Sequence, residues 1–400
     1  MSDTIRLVAI RAAALAPLTL GLLTGGVLAD PPKRAAKWYK PGPYAVGCRT
    51  FIFVDSKRTD GFTKRPRQLV TEIWYPAVDA ARDKPKITFS SFFLDRAQEA
   101  EEAFQRFGEI SLADVDKRFD PLAVRDAKKR KGRFPLIVFS HGNGGLRMQS
   151  IFLTEHLASH GYVVVAPDHT GNAAITCLPE GVVTMNARST LTAVEDRPRD
   201  VAFLIDEIIR QTADPNSFLH GGLDLDKIGA TGHSFGGMTV TKATQDKRIK
   251  AILPLAGVAP SAIRFRTPVM LMVADQDMTI GEERSKTFLK LYKVWPARKW
   301  LLEFKDAGHY TFSEMHRLKP DFGDGCGEGK RFDGTAFTYW DSADAHKYIN
   351  AYALAFFDHI LRADPEAGKL LAGPTLSPNI RIEHAEQRPT TTTSSKPTAK

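Results

Sequence analysis

Short apolar runs alternate along the chain with segments in which apolar residues recur every three or four positions. The runs predict β-strands, and the periodic segments predict helices. The predicted strands are residues 69–75, 134–140, 162–166, 227–231, 249–255, 268–273 and 299–304, and the predicted helices are 149–159, 197–211, 281–292 and 343–362. Strands that alternate with helices are typical of a largely parallel sheet with helices on both faces. The pattern therefore predicts a protein of the α/β class.

Two segments interrupt this alternation. Residues 92–131 are charged and helix-prone, so we expect an insertion there, either a packed peripheral helical hairpin or a lid over the mouth of the site. Residues 378–400 are polar and of low complexity, and we expect a disordered tail. Residues 30–377 are then one α/β domain, since such domains often exceed 250 residues.

The N-terminus has the pattern of an export signal. Arg6 and Arg11 precede the uncharged stretch 12–28, and small residues lead up to Ala29. Pro17 interrupts the stretch, which favours a cleaved signal over a permanent membrane helix. We expect residues 1–29 to be a signal peptide that is removed near Ala29, and the mature protein to be periplasmic or secreted.

Composition is ordinary for a soluble globular protein, with 43% hydrophobic and 25% charged residues. The net charge is +9, and the basic residues cluster at 33–40, 57–67 and 128–133 without interleaved aromatic residues. We interpret these clusters as solvated surface. The sequence thus predicts no nucleic-acid partner and at most peripheral membrane contact, and it leaves the oligomeric state open.

The three cysteines, Cys48, Cys177 and Cys326, are too few for a disulfide scaffold and too widely spaced for a zinc cluster. The expected topology brings the loops of Cys177 and Cys326 to the same edge of the sheet. One bridge between these two residues and three separate thiols are both compatible with the sequence. We expect neither a metal nor a cofactor.

The pentapeptide Gly232-His233-Ser234-Phe235-Gly236 follows a predicted strand and precedes a segment that can start a helix. A serine at the apex of such a strand–turn–helix is a nucleophile elbow, in which flanking glycines allow the turn to pass close to its neighbours. A glycine-rich helix entrance without chemistry is the alternative for the motif alone. The pattern nevertheless makes Ser234 the candidate nucleophile.

A serine hydroxyl needs a base to take its proton and a carboxylate to orient that base. The strand 268–273 leads into Asp275 and Asp277, and the strand 299–304 leads into His309. This gives the chain order Ser, Asp, His. We expect His309 to be the base. Both aspartates can be the acid, and we favour Asp277, which lies further into the loop.

The oxyanion formed in such a reaction needs preorganised N–H donors. We expect one to be the amide of Phe235, directly after the nucleophile, and the other to be Asn143 in the glycine-rich loop 140–145. His141 and His233 are expected to be structural and to bond to turn backbone.

Several motifs in a fixed order carry a family resemblance: Phe139-Ser140-His141-Gly142, Ala166-Pro167-Asp168-His169, Arg197-Pro198-Arg199-Asp200-Val201, Gly232-His233-Ser234-Phe235-Gly236-Gly237 and Ala307-Gly308-His309. Over about residues 44–362 the chain resembles the α/β-hydrolase branch of platelet-activating-factor acetylhydrolases and dienelactone-hydrolase-like esterases. The resemblance implies an α/β-hydrolase fold, Ser234 as nucleophile, His309 as base, and Phe235 and Asn143 as oxyanion donors.

The chain departs from this branch in two respects. Dienelactone hydrolases proper use a cysteine nucleophile, whereas the elbow here holds Ser234. Eukaryotic platelet-activating-factor acetylhydrolases carry the acid one strand earlier, and the acid position here resembles bacterial polyester hydrolases and cutinase-like enzymes.

The sequence thus predicts an exported serine hydrolase that acts on a small-molecule or lipid carboxylic ester through an acyl-enzyme. A peptidase or amidase of the same fold is one alternative, and a non-catalytic binding protein on a hydrolase scaffold is another.

Overall fold

A mixed sheet forms the centre of the fold. In the computed structural model, which describes residues 35–386, ten strands join it in the order β14-β11-β10-β9-β8-β4-β5-β2-β1-β3, and two small hairpins, β6–β7 and β12–β13, lie outside it. The strands are β1 Ala45–Thr59, β2 Pro66–Ala77, β3 Ala123–Arg125, β4 Phe134–Ser140, β5 Val163–Pro167, β6 Ile175–Leu178, β7 Gly181–Thr184, β8 Leu223–His233, β9 Ile249–Leu255, β10 Val269–Ala274, β11 Lys299–Phe304, β12 Glu328–Lys330, β13 Ala336–Thr338 and β14 Ile380–Ala385. The predicted signal peptide, residues 1–29, lies outside the described residues.

The neighbouring strands β5, β4, β8, β9, β10 and β11 are mutually parallel, whereas β2 and β14 run antiparallel to their neighbours. The carboxyl ends of the parallel strands therefore meet at one edge of the sheet. Ligand and catalytic sites of open α/β sheets lie at this edge. The predicted α/β architecture with a mostly parallel sheet is confirmed.

Helices cover both faces of the sheet. They are α1 Ala36–Tyr39, α2 Ala97–Gly108, α3 Leu112–Arg118, α4 Ile151–Ser159, α5 Ala187–Ala213, α6 Phe235–Ala243, α7 Glu282–Val294, α8 Met315–Leu318, α9 Ser342–Leu361 and α10 Pro365–Ala372. Within the described part of the chain, none of them combines the length and the apolar character needed to cross a membrane.

The sheet separates the two largest apolar clusters of the core. In β4, Ile137 and Phe139 join the cluster that contains residues of α4 and α9, whereas Leu136 and Val138 join the cluster that contains residues of α5, α6 and α7. Successive side chains of a strand point to opposite faces, so the apolar run of β4 supplies both clusters. Burial on both faces fixes the position of β4, and the glycine-rich loop 140–145 begins at the end of this strand.

The helix predicted at 197–211 begins earlier than expected, at Ala187, and includes Pro198. Its start is fixed by Asn186, whose side chain accepts a hydrogen bond from the Ser189 amide at 2.9 Å. Such a cap satisfies an amide that the first turn would otherwise leave unpaired.

The insertion 92–131 contains α2 and α3, as the helical-hairpin interpretation expects, and also the short strand β3. This strand pairs in parallel with β1 at the edge of the sheet. The segment is therefore tied to the sheet by backbone hydrogen bonds as well as by side-chain packing, and the hairpin interpretation is incomplete.

The prediction of a disordered tail from residue 378 is wrong for its first part. Strand β14 pairs antiparallel with β11 along its whole length, and Arg381 bonds Glu303 at 2.9 Å. Ile380 is buried, because alternate residues of β14 face the core. The domain therefore extends past residue 377 to at least 385. Residues 387–400 lie outside the described part.

All three cysteines are buried free thiols, so the bridge between Cys177 and Cys326 does not form and the alternative of three separate thiols holds. Cys177 lies in β6, and burial raises the pKa of its thiol to about 12. The Cys326 thiol faces the Lys319 carbonyl at 3.5 Å.

Candidate active site

The turn between β8 and α6 carries Ser234 in a strained conformation, with φ 56° and ψ −119°. This left-handed backbone is costly for a residue with a side chain, and the Ser234 amide is held by the Leu255 carbonyl at 2.7 Å. A Cβ atom on Gly236 would lie 1.8 Å from the Ser140 carbonyl oxygen, and one on Gly232 would lie 2.6 Å from the same atom. The two glycines are required by this close approach, as the sequence predicts for a nucleophile elbow.

Asp277 and His309 follow β10 and β11 at the same sheet edge. His309 Nδ1 lies 2.8 Å from Asp277 Oδ2, and both side chains are buried. An imidazole that donates its Nδ1–H to a carboxylate keeps the Nε2 lone pair for a proton. The ring centre of His309 is 4.6 Å from that of His233, the residue before Ser234, so the imidazole lies beside the elbow.

Of the two aspartates that the sequence left open, Asp277 is the one that bonds the imidazole. Asp275 instead accepts the Ala307 amide at 3.3 Å, and burial raises the pKa of its carboxyl group. The second Asp277 oxygen accepts the Ile280 amide at 2.8 Å, which fixes the carboxylate in its loop.

A third carboxylate, Asp324, holds the two loops together, and the sequence analysis missed it. Its Oδ1 accepts the His309 amide at 2.9 Å and the Met278 amide at 3.2 Å, and its Oδ2 accepts the Thr279 amide at 2.8 Å and hydroxyl at 2.7 Å. Asp324 thus joins the loop that carries Asp277 to the loop that carries His309. No sequence motif marks such a contact, because three of its four partners are main-chain amides.

The glycine-rich loop after β4 borders the nucleophile. A Cβ on Gly142 would lie 3.5 Å from Ser234 Cβ. Neither the Asn143 amide nor the Phe235 amide has a hydrogen-bond partner among the described residues. Three other loop amides are engaged: Gly142 with Gln149 Oε1, Gly144 with the Asn172 carbonyl, and Gly145 with the Gly142 carbonyl. The Asn143 side-chain oxygen accepts from Asn172 Nδ2 at 2.8 Å, which fixes the side chain beside its own backbone amide.

His233 links Gln149, which bonds the glycine-rich loop, to His309. Its Nδ1 lies 2.5 Å from Gln149 Nε2 and its Nε2 lies 2.9 Å from the His309 carbonyl oxygen. Burial, reinforced by the neighbouring His309, lowers the pKa of His233 far below the usual range, so the ring is neutral and donates a single proton. The ring therefore donates Nε2–H to His309 and accepts from Gln149, which agrees with the structural role expected from the sequence.

Three apolar side chains beside these residues are exposed to solvent: Met185, Met278 and Phe322. The Met185 sulfur would be 3.1 Å from a Cβ on Gly144, Met278 follows Asp277 directly, and Phe322 packs edge-on against Tyr310 with ring centres 4.7 Å apart. We call these three residues the apolar rim. They provide an apolar surface at the mouth of the site.

One group of possible metal ligands occurs among the described residues. The ligand atoms of Glu314, His316 and His346 lie within 4.8 Å of one another. Arg317 Nε lies 2.9 Å from Glu314 Oε2, so a guanidinium already balances the carboxylate. We assign no metal to this group.

Two family models match the chain: residues 33–189 match "Platelet-activating factor acetylhydrolase, isoform II", and residues 128–318 match "PET hydrolase-like". A platelet-activating factor acetylhydrolase of Cavia porcellus is 25% identical over 81% of this chain and 77% of the relative. The enzyme of Canis lupus familiaris is 27% identical over 46% of this chain, which spans only 49% of that relative. Cutinase 2 of Thermobifida cellulosilytica is 26% identical over 41% of this chain and 62% of the relative.

The solved structure of a ferulic acid esterase from Streptomyces cinnamoneus superposes with a TM-score of 0.67, at 25% identity over 85% of this chain and 96% of that one. Together with the sheet topology, these similarities identify the chain as an α/β-hydrolase that cleaves carboxylic esters. Within that class it resembles the platelet-activating-factor acetylhydrolases, as its ordered motifs predict, and it shares similarity with cutinases.

Proposed function

We propose that the chain is a serine esterase in which Ser234, His309 and Asp277 form the catalytic triad and the amides of Phe235 and Asn143 form the oxyanion hole. The observation that carries the proposal is the 2.8 Å hydrogen bond between His309 and Asp277 beside a strained serine elbow. In serine-hydrolase triads a buried carboxylate orients the histidine in this way beside the nucleophile.

In this mechanism His309 Nε2 takes the proton of the Ser234 hydroxyl while the oxygen bonds to the ester carbonyl carbon. The carbonyl electron pair moves onto its oxygen, and the two amides stabilise the resulting charge. The tetrahedral intermediate collapses, the C–O bond to the alcohol breaks, and the alcohol oxygen takes the proton from His309. A water molecule then repeats the sequence and releases the acid, which regenerates the free serine.

We propose an ester with an apolar acyl or alkyl chain as the substrate. The apolar rim of Met185, Met278 and Phe322 lies at the mouth of the site, where it would contact the part of the substrate next to the scissile bond. Similarity to both an acetylhydrolase of a lipid mediator and to cutinases supports lipid-like or polyester substrates over sugars or charged esters.

We propose further that the enzyme is exported, on the basis of the signal-like residues 1–29, and that it acts on its ester without a cofactor. Mass determination of the mature protein from the native host tests the first point. A mature N-terminus near Asp30 supports export through this signal, whereas an intact Met1 contradicts it.

A series of p-nitrophenyl esters with increasing acyl chain length tests the catalytic proposal. We expect Ser234→Ala to lose at least about 10³-fold in kcat and all labelling by a fluorophosphonate probe. Ser285→Ala, which removes a hydroxyl on α7, serves as the matched control and should keep both. Full turnover by Ser234→Ala contradicts the proposal. Cleavage of peptide anilides without ester turnover indicates an amidase, and no turnover of any substrate indicates a binding protein.

A further inference from the structure

The motif at residues 197–201 has no part in the triad, yet its Arg197 guanidinium lies directly behind the glycine-rich loop 140–145. We call this loop the oxyanion loop. Arg197 is completely buried, and its guanidinium donates to the Ser140 hydroxyl at 2.9 Å and to the Asn172 side-chain oxygen at 2.9 Å. It also donates to the His141 carbonyl and, at 3.4 Å, to the Gly142 carbonyl. Arg197 therefore bonds the backbone of the loop rather than a carboxylate.

The charge of this arginine is not neutralised by a direct ion pair. Among residues 35–386, no carboxylate oxygen lies within 4.0 Å of the Arg197 guanidinium. Asp200, one turn along α5, is already bonded by Arg58 at 2.8 Å and by Arg67 at 2.6 Å. Burial lowers the pKa of Arg197 to about 9, so the side chain is still charged at neutral pH.

The Gly142 carbonyl also accepts from His141. The His169 amide donates to His141 Nε2 at 3.0 Å, so that nitrogen is unprotonated. Burial lowers the pKa of His141 far below the usual range, and the neutral ring must then carry its proton on Nδ1. Nδ1 lies 2.6 Å from the Gly142 carbonyl oxygen and donates to it.

The Gly142 carbonyl belongs to the same peptide unit as the Asn143 amide. Donors that draw electron density onto a carbonyl oxygen strengthen the N–H of that peptide as a donor. Arg197 also lies against the side chain of Phe235, the residue whose amide is the other proposed donor, since its guanidinium carbon is 4.9 Å from the centre of the Phe235 ring. A buried positive charge at this place favours negative charge on the substrate oxygen.

We infer that Arg197 is a positioning and polarising residue of the oxyanion hole. It acts on the transition state through the Gly142–Asn143 peptide, and His141 is a second side-chain donor to the same carbonyl. The inference rests on the proposed function, because it assumes that the Asn143 amide binds the oxyanion. It predicts that Arg197 affects kcat and not the binding of the uncharged ester.

The test compares Arg197→Gln with Arg58→Gln, a control in the same α5-linked charge network whose side chain does not contact the oxyanion loop. Active sites are counted by fluorophosphonate titration, so that kcat refers to folded protein. We expect Arg197→Gln to lose about tenfold to a hundredfold in kcat, less than the loss of a whole oxyanion donor. Affinity for a trifluoromethyl ketone, which places an oxyanion in the hole, should fall by the same factor, while KM changes by less than about threefold.

A merely structural role would lower the melting temperature and the number of active sites and leave kcat per active site and inhibitor affinity unchanged. That result overturns the inference. If Arg197→Gln does not fold, His141→Phe removes the other side-chain donor to the Gly142 carbonyl, leaves the Gly145 amide in place, and should lower kcat and inhibitor affinity together by about threefold to tenfold. Unchanged values in His141→Phe then overturn it. Ester turnover that survives in Ser234→Ala would instead contradict the proposed function itself.

Discussion

Replacing Asp324 with Ala removes the carboxylate that joins the loop of Asp277 to the loop of His309. Its oxygens accept the amides of Met278, Thr279 and His309, together with the Thr279 hydroxyl. The hydroxyl can rotate to another acceptor, whereas the three amides stay fixed. At about 1 kcal/mol for each amide left unpaired, the free energy of unfolding should fall by about 3 kcal/mol.

This loss corresponds to a melting temperature about 4 °C lower for a domain of this size, at about 2.1 cal/mol/K of unfolding entropy per residue. Catalysis should suffer as well, because a shift of about 1 Å in the base relative to the nucleophile can reduce the rate about a hundredfold. We therefore expect kcat to fall by about tenfold to a hundredfold, with little change in KM. Thermal denaturation and ester kinetics on the same preparation measure both quantities.

Asp321→Ala is the matched control, since Asp321 is an exposed carboxylate three residues earlier in the same segment. It should leave the melting temperature and kcat close to those of the wild type. Equal values for Asp324→Ala and Asp321→Ala would refute the conclusion that Asp324 holds the two catalytic loops.

Two further predictions concern ionisable groups. Asp277→Asn should reduce kcat by about 10³-fold to 10⁴-fold, because the carboxylate no longer fixes the tautomer of His309. The control Asp275→Asn should change kcat by less than about threefold. Equal losses of kcat in the two variants would mean that the acid is wrongly assigned. Burial lowers the pKa of His156 to about 3, below its value in the unfolded chain, so its contribution to stability is complete above about pH 6.5 and is lost as the pH falls toward 3. In thermal denaturation between pH 7 and pH 5, His156→Leu should therefore lose about 2 kcal/mol less stability than the wild type. The control His384→Leu, at an exposed position, should follow the wild type. Parallel stability curves for all three proteins would contradict the prediction.

The interior strands could be predicted from the sequence because they are buried on both faces. The observed bounds of β4, β9 and β11 coincide with the apolar runs 134–140, 249–255 and 299–304. Edge strands were missed: β14 is half polar, and β1 has several partly exposed positions, so neither forms a continuous apolar run. Their pairing is decided by the neighbouring strand, which a local pattern does not contain.

The candidate site could likewise be predicted from the sequence only in part. Ser234, Asp277 and His309 could be proposed because each follows a strand that the pattern identifies, and their chain order is typical of the fold. The choice between Asp275 and Asp277 depended on which loop conformation forms, and two residues on one extended segment do not decide it. Asp324 and Arg197 act on backbone groups far away in the chain, so their roles became visible only in three dimensions.

Residues 322–324, which follow His309 in the chain, have a consequence for redesign. The same short stretch carries Phe322, which belongs to the apolar rim, and Asp324, which bonds the loops of Asp277 and His309. A chimera that imports this stretch from another esterase to alter chain-length preference would exchange both at once. Such a graft should yield an active enzyme when the donor stretch brings a carboxylate in register with position 324, and a largely inactive one when it changes residue 322 and brings no carboxylate at position 324.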